Sequence, residues 1–230
     1  MKKHLALLAL GLATTLFSQT AGATKATVSA PAVDDNAAQL AKIVLPREAT
    51  IAVRLPRFDA TYAENQSNKK RLAALETSRP GITAAVSLAA RDEAAKAYGT
   101  VIDLLQADIA VIYRENFTAA ELTALIAFFS SSTGQALVTL SVGSGGETPS
   151  AFEADRRAKA TATLKNLDDV AKADLTKLMQ SDVLSKVRAI NPEISALSTS
   201  RFFDVSLIID VNLPHRIEAE IATFPKSSRS

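Results

Sequence analysis

The chain has 230 residues, with 26 Lys+Arg, 24 Asp+Glu, two His and neither Cys nor Trp. Without Cys there is no disulfide framework, thiol nucleophile, iron–sulfur cluster or Cys-based zinc site. With 47% apolar and 22% charged residues it is no disordered charged tail, and its length suits one domain with a sizeable core.

The first 23 residues, MKKHLALLALGLATTLFSQTAGA, have the layout of a secretory signal. Lys2 and Lys3 form a basic start, Leu5 to Phe17 is an apolar run, and Ala21-Gly22-Ala23 is a small-residue cleavage site. The run is shorter than the ~20 residues of a membrane span. Cleavage after Ala23 would give a periplasmic or secreted protein starting at Thr24, with no transmembrane segment. No Cys follows the run, so no lipoprotein anchor is expected. Cleavage would remove two cationic residues and no acidic one, leaving 24 of each sign. That balance argues against a nucleic-acid partner, because non-specific affinity needs a cationic excess.

Thr24 to Val33 is rich in Ala, Thr, Ser and Pro and reads as a disordered tether. Residues 34–225 read as one all-α domain. A first helix starts at Asp34, Asp35 or Asn36 and carries Leu40, Ile43 and Val44 up to Pro46. Arg47 to Arg57 alternates at Ile51, Val53 and Leu55, but Pro46 and Pro56 bracket it, so a loop or short helix is expected. Thr61 and Glu64 have capping-box spacing, predicting a polar helix from there to about Glu76. Pro80 then sits near the first turn of one long helix, Gly81 to Arg114. Its apolar face runs through Val86, Ala90, Ala94, Ala97, Val101, Leu105, Ile109 and Ile112.

The segment FTAAELTALIAFFSSSTGQALVTL, Phe117 to Leu140, carries the clearest local signal. Thr118 is placed at the N-cap with Glu121 at N3, and Phe117 with Leu122 forms a hydrophobic staple. The run Ser130-Ser131-Ser132-Thr133 should break the helix, because hydroxyl side chains compete for backbone groups. A short helix, about Gly134 to Leu140, should follow, capped by Ser132 or Thr133.

Ser141 to Thr148, SVGSGGET, reads as a glycine linker. Helical spacing resumes from Pro149 to about Leu164, and again from a cap at Asp168 through Leu175, Leu178 and Met179 towards Ile190. In RFFDVSLIIDV, residues 201–211, Phe203, Val205, Leu207, Ile209 and Val211 alternate as in a strand, while Phe202, Val205 and Ile209 fit a helix. No partner strand is in sight, so helix is preferred, with Pro214 kinking or interrupting it. The 42 alanines support an all-α bundle of about six to eight helices around one long central helix.

The stretch from Phe117 to Val138 resembles a family of exported bacterial proteins, domain of unknown function 2059. The resemblance rests on Phe117, Thr118, Glu121, Leu122, Phe128, Phe129, Ser131 and Gly134, which match an FTxxEL helix start, an aromatic pair and an SPxG-like break. Ser132 stands where the family has Pro, and Ala136 where Lys is common. The long helix ending in IYRENF is also similar, so the likeness covers roughly Pro80 to Leu140. It implies a small, helical, secreted protein and brings no reaction, cofactor or catalytic residue. The eight motif residues are therefore read as structural.

Other candidates for chemistry are sparse. His215 is the one His left after cleavage, and His215 with Glu218 supplies two ligands at most, so no metal site is expected. Asp103 and Asp108 are five apart and fall on different sides of the long helix. Gly143-Ser144-Gly145-Gly146 lacks the preceding strand of a dinucleotide fingerprint. Ser131 lacks a nucleophile-elbow motif and only His215 or a Lys could serve as its base, and Phe128 with Phe129 reads as core. No catalytic or cofactor-binding residue is assigned. The expected function is that of a non-enzymatic periplasmic module binding a protein or envelope component. The alternatives are a carrier of an apolar small molecule and a carboxylate- or Ser-based hydrolase.

Overall fold

The computed structural model describes residues 31–142 and 168–225, with positions 158, 161, 162 and 165 between them. Eight helices have both ends within 31–142 and 168–225: α1 Pro31–Val44, α2 Arg47–Glu64, α3 Gln66–Glu76, α4 Ile82–Asn116, α5 Ala119–Ser130, α6 Ser132–Val142, α7 Asp169–Met179 and α8 Asp182–Thr223. The described residues contain no strand, so the architecture is all-α. The signal segment, most of the tether and the glycines at 143–146 lie outside the described residues.

α4 is the spine. Its 35 residues give a rod about 52 Å long. Small and β-branched residues at three- and four-residue spacing let other helices approach closely: Val86, Ala90, Ala94, Ala97, Val101, Leu105 and Ile109 are all buried. α8, with 42 residues, runs antiparallel along it. Val86 clusters with Ile217 and Ile221, Val101 with Val205, and the Leu105–Tyr113 end shares a core with Ile190. The largest cluster joins α1 (Ala37, Leu40, Ala41), the end of α4, α5 (Leu122, Leu125) and α6 (Leu137, Val138). Each fully buried Leu or Ile there contributes about 1.5–3 kcal/mol from apolar transfer.

Several boundaries differ from those read in the sequence. α1 begins at Pro31, so Pro31 to Val33 is helical rather than tether. Arg47 to Arg57 is neither loop nor short helix but the first part of the 18-residue α2, which continues through Pro56. Thr50 Oγ1 donates to Pro46 O at 2.8 Å, and both ends of α2 are tied to α4. Arg47 meets Asp103 at 3.1 Å, and Asp59 meets Arg91 at 2.7 Å. Burial of Thr50 and Leu55 on a helix packed along α4, to which these exposed pairs add little, overrides the weak propensity around the proline. Thr61 opens no helix. It lies inside α2, where Tyr62 stacks on Phe58 and packs towards Leu72, and the break falls at Asn65.

The N-terminus of α4 is capped from a distance. Gly81 takes φ 91°, a left-handed conformation that glycine adopts without steric cost. The turn brings Glu76 onto the exposed donors of α4. Its carboxylate accepts from Gly81 N at 2.5 Å, Thr83 N at 2.9 Å and Thr83 Oγ1 at 2.7 Å. A negative charge at a helix start is favourable, and these bonds hold Glu76 below the ordinary carboxylate range.

The segment from Asp168 towards Ile190 is split at Gln180 and Ser181, where Ser181 Oγ donates to Leu178 O at 2.6 Å. Beyond it, Pro192 and Pro214 both lie inside one continuous helix. Leu184, Ile190, Val205, Ile217 and Ile221 anchor α8 on either side of each proline, so lost backbone bonds do not end it. Residues 201–213 are helical.

Candidate functional site

The motif residues assemble at the corner where α4 ends and α5 and α6 begin. Thr118 N caps α5: its Oγ1 accepts from Glu121 N at 3.3 Å, and the Glu121 carboxylate accepts from Thr118 N at 2.8 Å. This reciprocal capping box satisfies two donors that the helix start would otherwise leave open. Phe117 and Leu122 are both buried in the main core, and Phe117 lies edge-on to Tyr113 with centroids 5.9 Å apart. Burial pushes the Tyr113 phenol far above its usual range, so it stays neutral.

α5 and α6 meet at 82°. Ser131 makes the corner: its hydroxyl donates to Phe128 O at 2.6 Å and accepts from Gly134 N at 3.2 Å. The cap of α6 is therefore Ser131 rather than Ser132 or Thr133, and α6 spans Ser132–Val142. Gln135 Nε2 adds a bond to Phe129 O at 2.6 Å. Gly134 presses against the α5 backbone so closely that a Cβ there would lie 2.1 Å from Phe128 O. Phe128 and Phe129 are buried and pack edge-on at 5.2 Å.

Sequence reasoning missed the partner of this corner. Lys186, near the start of α8, places Nζ 2.7 and 2.9 Å from the two Glu121 carboxylate oxygens and 6.0 Å from the Phe117 ring centroid. The Lys186 bond, then the bond from Thr118 N, hold the Glu121 carboxyl below its ordinary range. One carboxylate thus caps α5 and ties the corner to α8. Nothing around Lys186 in the sequence marks it, since the contact spans 65 positions.

The other candidates are scattered. Asp103 pairs with Arg47, while Asp108 pairs with Arg201 on α8 at 2.7 Å. The two carboxylates therefore belong to different ion pairs. Glu218 accepts two bonds from Arg71 on α3, and His215 is exposed. Among the described residues no group of three or more His, Asp or Glu is arranged to hold a metal. Ser131 uses its hydroxyl in the corner and has no base against it in these bonds.

Residues 103–145 match the family described as an uncharacterized protein conserved in bacteria, domain of unknown function 2059. The matched stretch runs from the second half of α4 through α5 and α6 and contains all eight motif residues. No curated protein and no solved structure matches the chain. No single helix among the described residues is long and apolar enough to cross a membrane.

One surface stands apart from the corner. On α8, Phe203, Leu207 and Val211 are 66%, 51% and 65% exposed. Their four-residue spacing lines them up on one face, opposite the face that buries Val205.

Proposed function

We propose that the chain is an exported helical module that binds another envelope protein through the outward face of α8. The basic-apolar-small layout of the first 23 residues supports export to the periplasm, and the balanced charge after cleavage supports a protein partner over nucleic acid. The observation that carries the reading is the row Phe203, Leu207, Val211. Large apolar side chains lined up in water are the usual mark of a contact surface.

The occupant is an amphipathic helix of the partner. The row extends over nine residues, 203–211, about 12 Å of helix, which suits two turns of a facing helix. Asp210 flanks it on one side and Asp204, which also meets Arg201, on the other, so the partner's apolar stripe should have Lys or Arg at its edges.

A photo-crosslinking amino acid at position 207 tests this, with the exposed position 73 on α3 as control. The expected result is one adduct from position 207 in the native envelope, absent from position 73. Its partner peptide should be an amphipathic helix with basic edges. Phe203→Ser should weaken the adduct while leaving the melting temperature of the chain unchanged. An adduct to lipid or to a second copy, or none, overturns the proposal.

A further inference from the structure

A different face carries a second inference. α2 and α8 both lie along α4, and at the level of Tyr98 they meet through one cation–π contact. The Arg54 guanidinium of α2 sits over the Phe202 ring of α8, with Cζ 4.3 Å from the centroid. Tyr98 and Phe202 pack onto the buried Ala97, Val101 and Val205. Arg54 and Arg57 are three residues apart on α2 and so share a face, beside the cluster that holds Tyr98 and Phe202.

We infer that Arg54, Arg57 and Tyr98 form a binding site for an oxyanion, a carboxylate or phosphate group. Two cations converge here, and among the described residues neither has an ion pair. Four carboxylates on α2, α4 and α8 are engaged elsewhere: Asp59 with Arg91, Asp103 with Arg47, and Asp108 and Asp204 with Arg201. A half-buried guanidinium beside a second one pays both desolvation and repulsion, and an anion relieves both. Phe202 covers one face of the guanidinium, whereas the N–H donors lie in its plane and suit a two-oxygen group. Burial pushes the Tyr98 phenol above its usual range, so it remains a neutral O–H donor at neutral pH.

The test uses the full mature chain at constant ionic strength, with inorganic phosphate, acetate and chloride as probes. Tyrosine fluorescence is a usable signal because the chain has three Tyr and no Trp. Phosphate or acetate should give a saturable change and raise the melting temperature, and chloride should give neither. Which of the two binds more tightly identifies the ligand as phosphate- or carboxylate-bearing. Arg57→Gln, at an exposed position, and Arg54→Lys, which keeps the charge but loses the planar fork, should each weaken binding about tenfold. Lys172→Gln, on α7, should bind as wild type, since it removes a cation from a helix that carries none of the three residues. The inference is overturned if chloride acts as phosphate and acetate do, if no probe saturates, or if the Arg54 and Arg57 variants bind like wild type.

Discussion

Gly134→Ala and Gly99→Ala are the same chemical change in a helix, and the structure assigns them different outcomes. Helix propensity alone favours Ala by about 1 kcal/mol at both positions. At Gly134 the new Cβ would lie 2.1 Å from Phe128 O and 2.4 Å from Phe129 Cα. Ordinary contacts lie at about 3.5 Å, so α5 and α6 would have to separate by about 1 Å at the corner. Both obstacles are backbone and cannot swing aside. The movement would also strain the Ser131–Gly134 and Gln135–Phe129 bonds. Overpacking at the upper end of its usual range costs about 3 kcal/mol. Less about 1 kcal/mol of propensity, Gly134→Ala should destabilise by about 2 kcal/mol.

At Gly99 the nearest atoms are Nη2 and Cζ of Arg47, at 2.1 and 2.8 Å. That is the far end of a flexible side chain, which can turn outward. The loss is then the Arg47–Asp103 pair, 40% and 57% exposed, worth less than about 1 kcal/mol. The gain in propensity offsets it, and Gly99→Ala should stay within about 0.5 kcal/mol of wild type. Urea unfolding of both variants, compared by midpoint and slope, reads the difference. A Gly134→Ala midpoint at or above wild type would refute the argument, as would an equal fall in both variants.

Other expectations follow from the same corner and from the N-terminus. Thr118→Ala should cost about 1 kcal/mol by opening the capping box, and Phe117→Ala about 3 kcal/mol by emptying a buried site. If denaturant melts leave both midpoints unchanged, the motif is not structural. Because the Glu121 carboxyl is held low in the folded chain, its stabilisation is full above the ordinary carboxylate range and is lost as pH falls through the lowered value. Acid melts of Glu121→Gln should therefore show a shallower loss of stability than wild type, and parallel curves would count against the Lys186 tie. N-terminal sequencing of periplasmic protein should begin at Thr24 or within a few residues, and an intact Met1 on the soluble protein would contradict export.

What could be read in advance was whatever a few neighbouring residues decide. The box at Thr118 and Glu121 closes within four positions, and the burial of α4 repeats at helical spacing, so both were legible. The same capping pattern at Thr61 and Glu64 misled, because α2 is packed along α4 and runs on to Glu64. Local chemistry proposes a helix start there, and long-range packing overrides it. Glu76 on the start of α4 and Lys186 on the motif are invisible for a related reason. A carboxylate seven positions from Thr83, or a lysine 65 from Glu121, carries no local sign of its target. The row on α8 was visible only as an ambiguity. Alternating apolar residues in 201–211 looked like a strand because that stretch is apolar on both sides of a helix, one buried and one not.

That two-sidedness separates architecture from the proposed contact surface in this chain. The matched stretch, residues 103–145, holds the corner: a reciprocal cap, a serine turn, a glycine pressed on backbone and aromatic rings sunk in the core. Each of its eight motif residues has its polar atoms engaged or its apolar atoms buried. The exposed row lies on α8, and the Arg54 guanidinium, with no ion pair among the described residues, lies on α2, both outside that stretch. A ligand sought from the eight motif residues would be sought where the side chains are already used up. Lys186 joins the two regions, since it grips Glu121 at one end of the helix that presents Phe203, Leu207 and Val211 further along. The corner therefore sets where α8 begins on the spine, and through that the position of its outward face. On this account a corner variant that still folds would weaken binding by displacing α8, whereas Phe203→Ser would weaken it with the fold in place.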